Sequence, residues 1–436
     1  MKKFDLLIKN SLIVFSDEIK QADIGIRGDK IVAIQSKMNE SAERIMDAKG
    51  LHIFPGLIDS HVHFNEPGRS DWEGIETGSK SLAAGGSTTF FDMPLNSHPP
   101  TITKAAFEEK DSLAKEKSII DYRLWGGVVP GNILELELLH KSGVIGFKAF
   151  MSNSGIDDFS SSDDHTLFQS MKKIAELNSI LAVHAESDII TENLGNENKQ
   201  KKDYSAVSYS KSRPIYSEIE AVQRIISYAE ATKCKVHIVH ISSSKILDPI
   251  RKAKQEGIDI TVETCPHYLS LNLEDLNELG SIAKCAPPLR DQSEIDLLWE
   301  AIVREEIDVI GSDHSPSLPA MKKGNLLEAW GGISGCQSTL SILLEEGYWK
   351  RTIPLHLISK ITSENPAKRF GLYPQKGKIA IGSDADLAIV DLNEQFVLKE
   401  EDLFYKNKIS PYIGKTYRGK VKRTVSRGKI VYTDNE

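Results

Sequence analysis

Cysteine is scarce in this sequence: it has four in 436 residues, and no two of them form a Cys-x-x-Cys pair. A dense disulfide framework is therefore excluded, and we expect reduced, buried thiols in a cytoplasmic protein. Positive charge is also in deficit, because 54 lysines and arginines compare with 62 aspartates and glutamates, for a formal net charge of −8. That balance argues against a surface that binds nucleic acid or anionic membranes.

Long apolar segments are missing as well. The N-terminal residues run into an alternating strand pattern rather than a signal peptide, and no stretch reaches the length that a membrane span needs. The composition is that of an ordinary globular protein, 40% hydrophobic and 27% charged. The length is sufficient for one large domain plus a smaller one.

Between residues 51 and 370, apolar strand candidates alternate with helical patterns, which indicates parallel β/α units. The eight strand candidates are 51–58, 88–93, 123–129, 144–150, 180–183, 235–241, 259–263 and 308–311. Helical patterns follow several of them, at 107–117, 166–177, 217–232, 245–256 and 292–304. Eight such units predict an α/β fold of the (β/α)₈ TIM-barrel class, in which the active site lies at the carboxyl ends of the strands.

Both ends of the chain carry short strand patterns, at 4–9, 24–27, 30–34, 385–390, 420–426 and 429–432. Neither end is long enough to bury a good core alone. We therefore predict one small β-rich domain assembled from residues 1–50 and 371–436, with the catalytic barrel, residues 51–370, inserted between them.

Metal-competent side chains lie in or just after five of the predicted barrel strands. They are His61, His63, Lys148, His184, His240 and Asp313. Each has an ordinary explanation when taken alone: a buried core histidine, a lysine paired with a carboxylate, or an aspartate at a helix cap. Together, at one rim of one barrel, they would be costly to bury unless a charged group organised them. A metal centre would do so, because histidine and carboxylate are common ligands of divalent metals.

Several short motifs extend over nearly the whole chain. They are Glu-Pro-Gly-Arg at 66–69, Gly-Gly-Ser-Thr-Thr at 85–89, Glu-Thr-Cys-Pro-His-Tyr at 263–268, Ala-Pro-Pro-Leu-Arg at 286–290 and Ser-Asp-His-Ser-Pro at 312–316. In this combination the chain resembles the amidohydrolase superfamily, and within it the cyclic-amidohydrolase group of dihydroorotase, hydantoinase and allantoinase.

The resemblance implies two divalent metal ions bridged by a carboxylated lysine. His61, His63 and Asp313 would hold one ion, His184 and His240 the other, and Lys148, as N6-carboxylysine, would bridge them. Asp313 would also be catalytic, moving a proton to the leaving nitrogen. Zinc is the first expectation, although manganese, cobalt and iron accept the same ligand mixture. The resemblance further implies a homotetramer.

The substrate is indicated by departures within that group. Dihydroorotases carry an arginine at the position of Asn65, a histidine at that of Ser317 and an asparagine at that of Ala286. Without an arginine to grip a carboxylate, dihydroorotate is disfavoured. Residues 66–78, 92–96, 283–288, 328–333 and 410–414 instead look like the allantoinases. That likeness implies hydrolysis of the ring amide of (S)-allantoin to allantoate, in purine nitrogen catabolism.

Asn65, Asn96 and Ser317 are the predicted substrate contacts, although Asn96 and Ser317 could equally be turn or loop residues. The Gly- and Ser-rich segment 152–159 is predicted to be a lid at the active rim, with an ordinary solvated loop as the alternative. Two other functions stay open. The first is a hydantoinase or dihydropyrimidinase, and the second is a catalytically inactive scaffold relative, which the complete set of six ligand positions disfavours.

Overall fold

The computed structural model describes residues 3–434. The N-terminal segment forms five strands: β1 (Phe4–Val14), β2 (Ile19–Arg27), β3 (Lys30–Gln35), β4 (Ala42–Asp47) and β5 (His52–Pro55). β1 pairs antiparallel with β2 and β2 with β3, while β4 and β5 run parallel to β1. Gly28 supplies a positive φ of 58° in the tight turn between β2 and β3, a conformation that glycine adopts at little cost.

The prediction of a single strand over 51–58 is wrong, because the chain changes sheets at Gly56. β5 lies in the terminal sheet, whereas β6 (Leu57–Val62) begins the parallel strands and pairs with the strand that follows it in sequence. Both segments are apolar and buried, so their sequence looks like one continuous strand. A consequence is that His61 lies within β6 rather than after its end.

The remaining parallel strands are β7 (Ser87–Asp92), β8 (Asp121–Leu124), β9 (Gly126–Gly127), β10 (Phe147–Phe150), β11 (Ile180–His184), β12 (Lys235–Ile238), β13 (Ile260–Thr264) and β14 (Val309–Ile310). They form a three-stranded sheet, β6-β7-β8, and a six-stranded sheet, β14-β13-β12-β11-β10-β9. Beyond β14, a parallel bridge joins His314 to Val62, and the backbone N–H of His63 donates to the carbonyl of His314 at 2.8 Å. The two sheets therefore meet at the end of β6.

Helices alternate with these strands, as the sequence predicts. They are α1 (Ile75–Ala84), α2 (Lys104–Lys117), α3 (Glu135–Ser142), α4 (Asp164–Glu176), α5 (Asp188–Lys201), α6 (Ala206–Ser212), α7 (Ile215–Thr232), α8 (Leu247–Gln255), α9 (Pro266–Ser270), α10 (Leu273–Leu279), α11 (Gln292–Val303), α12 (Thr339–Ile342), α13 (Leu355–Ser359) and α14 (Asn365–Arg369). Side-chain caps fix several starts; Asp163, for example, accepts from the N–H of Thr166 at α4. Within residues 3–434, none of the helices combines the length and apolarity needed to cross a membrane.

The C-terminal segment adds β15 (Leu387–Val397), β16 (Thr416–Ser426) and β17 (Lys429–Thr433), which complete an eight-stranded sheet. Its order is β17-β16-β15-β5-β1-β2-β3, with β4 paired to β1. Lys376 ties this terminal sheet to the parallel strands, because its amine lies 2.5 Å from carboxylate oxygens of both Asp121 and Asp386. The domain boundaries at residues 50 and 371 stay predictions.

Gly56 is a tight point of this architecture. A Cβ built on it would lie 2.2 Å from Oγ1 and 2.4 Å from Cγ2 of Thr88, a β-branched side chain with little freedom to move. We expect Gly56→Ala to lower the free energy of unfolding by about 1–3 kcal/mol through overpacking. Gly195→Ala, where a Cβ meets nothing within 4 Å, is the control and should cause no loss. Equal chemical-denaturation midpoints for the two variants would contradict the role given to Gly56.

Candidate active site

The strand ends bring five of the six predicted metal-competent side chains to one cavity of about 760 Å³. His61, His63, His184, His240 and Asp313 all line it. The sixth, Lys148, is fully buried on β10 and lies beneath the cavity surface. The structure therefore gives their arrangement, and their role as metal ligands stays a prediction.

The first group consists of His61, His63 and Asp313. Oδ1 of Asp313 lies 3.2 Å from Nε2 of His61 and 3.4 Å from Nε2 of His63. Ligand atoms bound tetrahedrally at metal distances near 2.0–2.1 Å are themselves separated by about 3.3 Å. The three atoms therefore have the spacing of a metal-binding group, and they could hold one ion.

The second group is the pair His184 and His240. Nδ1 of His184 lies 3.1 Å from Nε2 of His240, again close to the separation of two ligands on one ion. The two groups are neighbours, since the ring centroids of His61 and His240 are 5.4 Å apart. The ring of His184 stacks on Phe150 with centroids 4.5 Å apart and an interplanar angle of 13°.

Lys148 is an unpaired amine beside both groups. Its Nζ forms no hydrogen bond to any described residue and lies 5.3 Å from the centroid of the Phe150 ring. Burial lowers the pKa of Lys148 to about 8, which increases its neutral, nucleophilic fraction. Its charge also contributes to lowering the pKa of His240, after the larger effect of burial. Among residues 3–434, no carboxylate lies within 4.0 Å of this amine, so the alternative of a simple buried ion pair is not found.

Two of these residues have an unusual backbone. The φ angles of His240 and Asp313 are 40° and 47°, in the left-handed region that L-residues rarely occupy. Such a conformation costs on the order of 1–3 kcal/mol and persists where surrounding structure enforces it. Backbone strain at two residues that face the same cavity is typical of a functional site.

Glu263 is a site residue whose role the sequence did not reveal. It is fully buried, and its Oε1 accepts a hydrogen bond from Nδ1 of His61 at 2.7 Å. Its other oxygen accepts from the hydroxyl of Ser60 at 2.7 Å. Gly311 leaves the necessary space, because a Cβ there would lie 2.5 Å from Oε2 of Glu263. The only sequence signal was its position at the head of the motif at 263–268.

Glu186 holds His184 in the same way, and it too was missed. Its Oε2 accepts from Nε2 of His184 at 2.8 Å, and Arg213 forks onto both of its oxygens. Burial alone would raise the pKa of Glu186, but the charge of Arg213 and the bond from His184 lower it to about 2. The signal available was the i, i+2 spacing of Glu186 from His184.

The cavity wall is more cationic than the sequence indicated. Arg213 and Lys284 both line it, and the amine of Lys284 donates to the carbonyl of Ala329 at 2.5 Å. Burial, and to a smaller extent the nearby charge of Arg213, lower the pKa of Lys284 to about 8. Neither residue was predicted to belong to the site: Arg213 lies in no motif, and Lys284 was noted only as part of the segment 283–288 that looks like the allantoinases.

The three predicted substrate contacts differ in their position relative to the cavity. Asn96 lines the cavity, and its carbonyl accepts from Arg69 at 2.9 Å. Asn65 and Ser317 are buried beside the cavity rather than on its wall; the amide of Asn65 donates to the carbonyl of Pro316 at 3.3 Å. Their contact with substrate stays a prediction.

The segment 152–159 contributes to the cavity wall through Asn153, Ser154 and several neighbours. Asp158 anchors it: its Oδ2 lies 2.7 Å from Nδ1 of His98 and 3.3 Å from Nη2 of Arg69. The segment thus closes one side of the cavity, and its motion as a lid stays a prediction.

Known proteins are similar to this chain over nearly its whole length. Residues 52–431 match the amidohydrolase family. The chain is 46% identical to an allantoinase of Deinococcus radiodurans, over 99% of this chain and 96% of that one. The chain belongs to the amidohydrolase family. Another allantoinase, from Solibacter usitatus, is 47% identical to this amidohydrolase over 99% of its length and 94% of the relative's.

A solved structure, the L-hydantoinase (dihydropyrimidinase) from Arthrobacter aurescens, superposes on this amidohydrolase with a TM-score of 0.97. The two chains are 34% identical, and the alignment covers 99% of this chain and 97% of that one. The fold is therefore that of an amidohydrolase with a hydantoinase-like structure, and the expected family is confirmed.

The buried amine of Lys148 should make the stability of the metal-free amidohydrolase depend on pH. Because burial lowers its pKa from 10.5 to about 8, the unfolded chain binds more protons in that window, and stability rises as pH increases through it. We expect Lys148→Met to remove this rise, a difference of up to about 3 kcal/mol between the two proteins below pH 8.

The measurement is chemical denaturation of chelator-treated protein in CO₂-free buffers between pH 7 and pH 11. Lys172→Met, which removes an exposed lysine, is the matched control and should leave the wild-type profile unchanged. Parallel profiles for wild type and Lys148→Met would show that the amine is not desolvated.

Proposed function

We propose that this chain is an allantoinase, which hydrolyses the ring amide of allantoin to give allantoate. The observation that carries the proposal is the 46% identity to an allantoinase over 99% of this chain, with all six metal-competent positions filled. The (S) enantiomer and a place in purine nitrogen catabolism follow from the same likeness and are part of the proposal.

We propose further that the parallel strands close as a (β/α)₈ barrel and that the site holds two divalent ions, zinc first. Support for the ions comes from ligand-like spacings of 3.1–3.4 Å in both groups. Lys148, as its carbamate, would supply the anionic group shared between them, and its lowered pKa favours the neutral amine that reacts with CO₂. Bound there, the ions would lower the pKa of a water and polarise the amide carbonyl.

Asp313 is the residue that moves the proton. Its carboxylate is at the cavity surface, within 3.4 Å of two imidazoles, and the charges of His61 and His63 hold its pKa well below the usual range despite burial. An ionised carboxylate at this point can accept a proton from the attacking water and deliver it to the leaving ring nitrogen. The proton thereby stays on the side of the cavity where the amide bond breaks.

The rest of the cavity suits an uncharged ring with a ureido arm. Its wall offers the amides of Asn96 and Asn153 and the hydroxyl of Ser315, groups that hydrogen-bond a urea in either direction. The charge of Arg213 is already taken up by Glu186. Arg213 is therefore not free to pair with a substrate carboxylate, and the amine of Lys284, the other cation described on the wall, is bonded to the carbonyl of Ala329.

A hydantoinase or dihydropyrimidinase is the second candidate, and the TM-score of 0.97 to the Arthrobacter aurescens L-hydantoinase favours it. Sequence identity argues the other way, at 34% against 46% for the allantoinase. A catalytically inactive scaffold is disfavoured by the intact set of six positions. The homotetramer stays a proposal from family likeness. A cytoplasmic location is supported by four cysteines that are all free and buried.

Substrate preference tests the proposal directly. We expect kcat/KM for (S)-allantoin to exceed that for hydantoin and dihydrouracil by at least about tenfold, since each missing polar contact in a buried site costs about 1 kcal/mol or more. The measurement is release of allantoate, with metal content determined on the same sample. Preferential turnover of hydantoin or dihydrouracil would support the second candidate instead.

Asp313→Asn tests the proton-transfer role. The amide keeps an oxygen that can bind a cation but cannot accept the proton, so we expect kcat to fall by about 10²–10⁴-fold while part of the metal is retained. Asp157→Asn, a change of the same kind in the 152–159 segment, is the control for an altered cavity charge. Wild-type kcat in the Asp313 variant would exclude this residue as the acid/base.

A further inference from the structure

Each predicted metal group contains one histidine whose outward nitrogen is bonded to a buried glutamate. Glu263 receives Nδ1 of His61 at 2.7 Å, and Glu186 receives Nε2 of His184 at 2.8 Å. Both glutamates are fully buried. The bonded nitrogen differs between the two histidines, which leaves opposite nitrogens facing the cavity.

We propose that Glu186, clamped by Arg213, is a positioning residue that fixes His184 in the tautomer whose Nδ1 can bind a metal ion, and that Glu263 does the same for Nε2 of His61. The inference rests on the proposed function only because that function needs a two-ion centre. It assigns a separate supporting carboxylate to each ion.

The tautomers follow from hydrogen-bond chemistry. An ionised carboxylate can only accept, so the imidazole nitrogen bonded to it must carry the proton and the other nitrogen keeps its lone pair. For His184 the free nitrogen is Nδ1, which lies 3.1 Å from Nε2 of His240. For His61 it is Nε2, which lies 3.2 Å from Oδ1 of Asp313. In both cases the lone pair is directed into the group that would bind the ion.

Arg213 gives the Glu186 arrangement its rigidity. Nε of Arg213 lies 3.0 Å from Oε1 and 3.2 Å from Oε2 of Glu186, and Nη2 also bonds Oε2. This fork fixes the plane of the carboxylate and compensates a charge that would otherwise be costly to bury. The stack on Phe150 fixes the plane of the His184 ring. Ring plane and hydrogen-bond direction are thus set by different residues.

Glu263 is supported differently, by the hydroxyl of Ser60, by Nε2 of His237 at 3.5 Å and by the space left by Gly311, with no guanidinium fork from any described residue. By contrast, Arg213, which supports Glu186, lines the cavity. The two supporting carboxylates can therefore be disabled independently, which makes the proposal testable one ion at a time.

Glu186→Gln is the decisive variant. Oε2 of Glu186 accepts from both Arg213 and His184, and Arg213 also bonds Oε1, so the amide of glutamine would place its NH₂ group against one of these donors whichever way it is turned. A neutral and poorer acceptor would replace the carboxylate that keeps the proton on Nε2 of His184, and the tautomer with Nδ1 free would no longer be fixed. We expect the apparent affinity for one of the two zinc ions to fall about 10–100-fold, the usual effect of losing such a partner, while the other ion is unaffected.

The measurement is a zinc titration of chelator-treated protein in metal-buffered solution, with metal per chain determined after gel filtration. Glu220→Gln is the matched control, because Glu220 also pairs with an arginine, Arg224 at 3.0 Å, but touches no histidine. It should retain both ions. Glu263→Gln should lose the other ion, and the double variant of Glu186 and Glu263 should lose both.

Wild-type affinity for both ions in Glu186→Gln would overturn the proposal, and so would equal weakening of the two. If that variant does not fold by circular dichroism, Glu186→Asp replaces it: the charge stays near Arg213 while the acceptor is drawn back from His184. A partial loss of one ion is expected there, and undiminished affinity would overturn the proposal.

These titrations need no substrate. A protein that binds two ions, loses one in Glu186→Gln and still does not hydrolyse allantoin would refute the proposed function and leave the positioning role standing. Hydrolysis of allantoin by the wild type with both ions intact in Glu186→Gln would do the reverse.

Discussion

The register between β10 and β11 is the constraint on which the candidate site depends. Lys148 pairs with Ala182 and Phe150 with His184 across these parallel strands. Because side chains alternate along a strand, a slip of one residue would turn either Lys148 or His184 away from the cavity. In the observed register, the amine of Lys148 and the ring of His184 both lie against Phe150. Phe150 thus provides an apolar surface between a buried amine and a buried imidazole.

Polar groups buried at this depth need hydrogen-bond partners, and in this site some groups have one and others do not. The outward nitrogens of His61 and His184 each have a carboxylate. In contrast, Nζ of Lys148 and Nδ1 of His240 have no hydrogen-bond partner among the described residues. Since an unsatisfied buried polar group costs on the order of 1–3 kcal/mol, the protein keeps these atoms at the expense of stability. Proteins retain such groups where they serve ligands rather than the fold.

Five of the six candidate residues line one cavity, and a local signal pointed to them, since a polar residue in or just after a buried apolar run stands out in the sequence. Their role as metal ligands stays a prediction. The sequence could not predict the partners of those residues. Glu263 lies 202 positions from His61, and only the assembled strands bring the two together. The break at Gly56 was hidden for a different reason: two strands of different sheets are both apolar and follow each other without a polar turn. Asn65 and Ser317 were chosen by position in a motif, which fixes proximity to the cavity but not the direction of a side chain.

The two metal groups also differ in how the fold supports them. His61 lies within β6 and His63 directly follows it; β6 continues from β5, which is paired on both sides within the terminal sheet. Gly56 lies between β5 and β6, and its N–H donates to the carbonyl of Asp386 at 2.8 Å. The two histidines of the first group are therefore tied to the terminal sheet through β5 and Gly56.

The second group depends on Glu186 and Arg213, and Arg213 is exposed to whatever occupies the cavity. An ion held by His184 and His240 would have the Glu186–Arg213 pair beside it, and Arg213 lies on the cavity wall. One held by His61 and His63, which line the same cavity, would have Glu263 behind it, and Glu263 is fully buried. The two groups therefore face one cavity but are supported from different depths, the first by the strand that continues from the terminal sheet and the second by a charged pair at the wall.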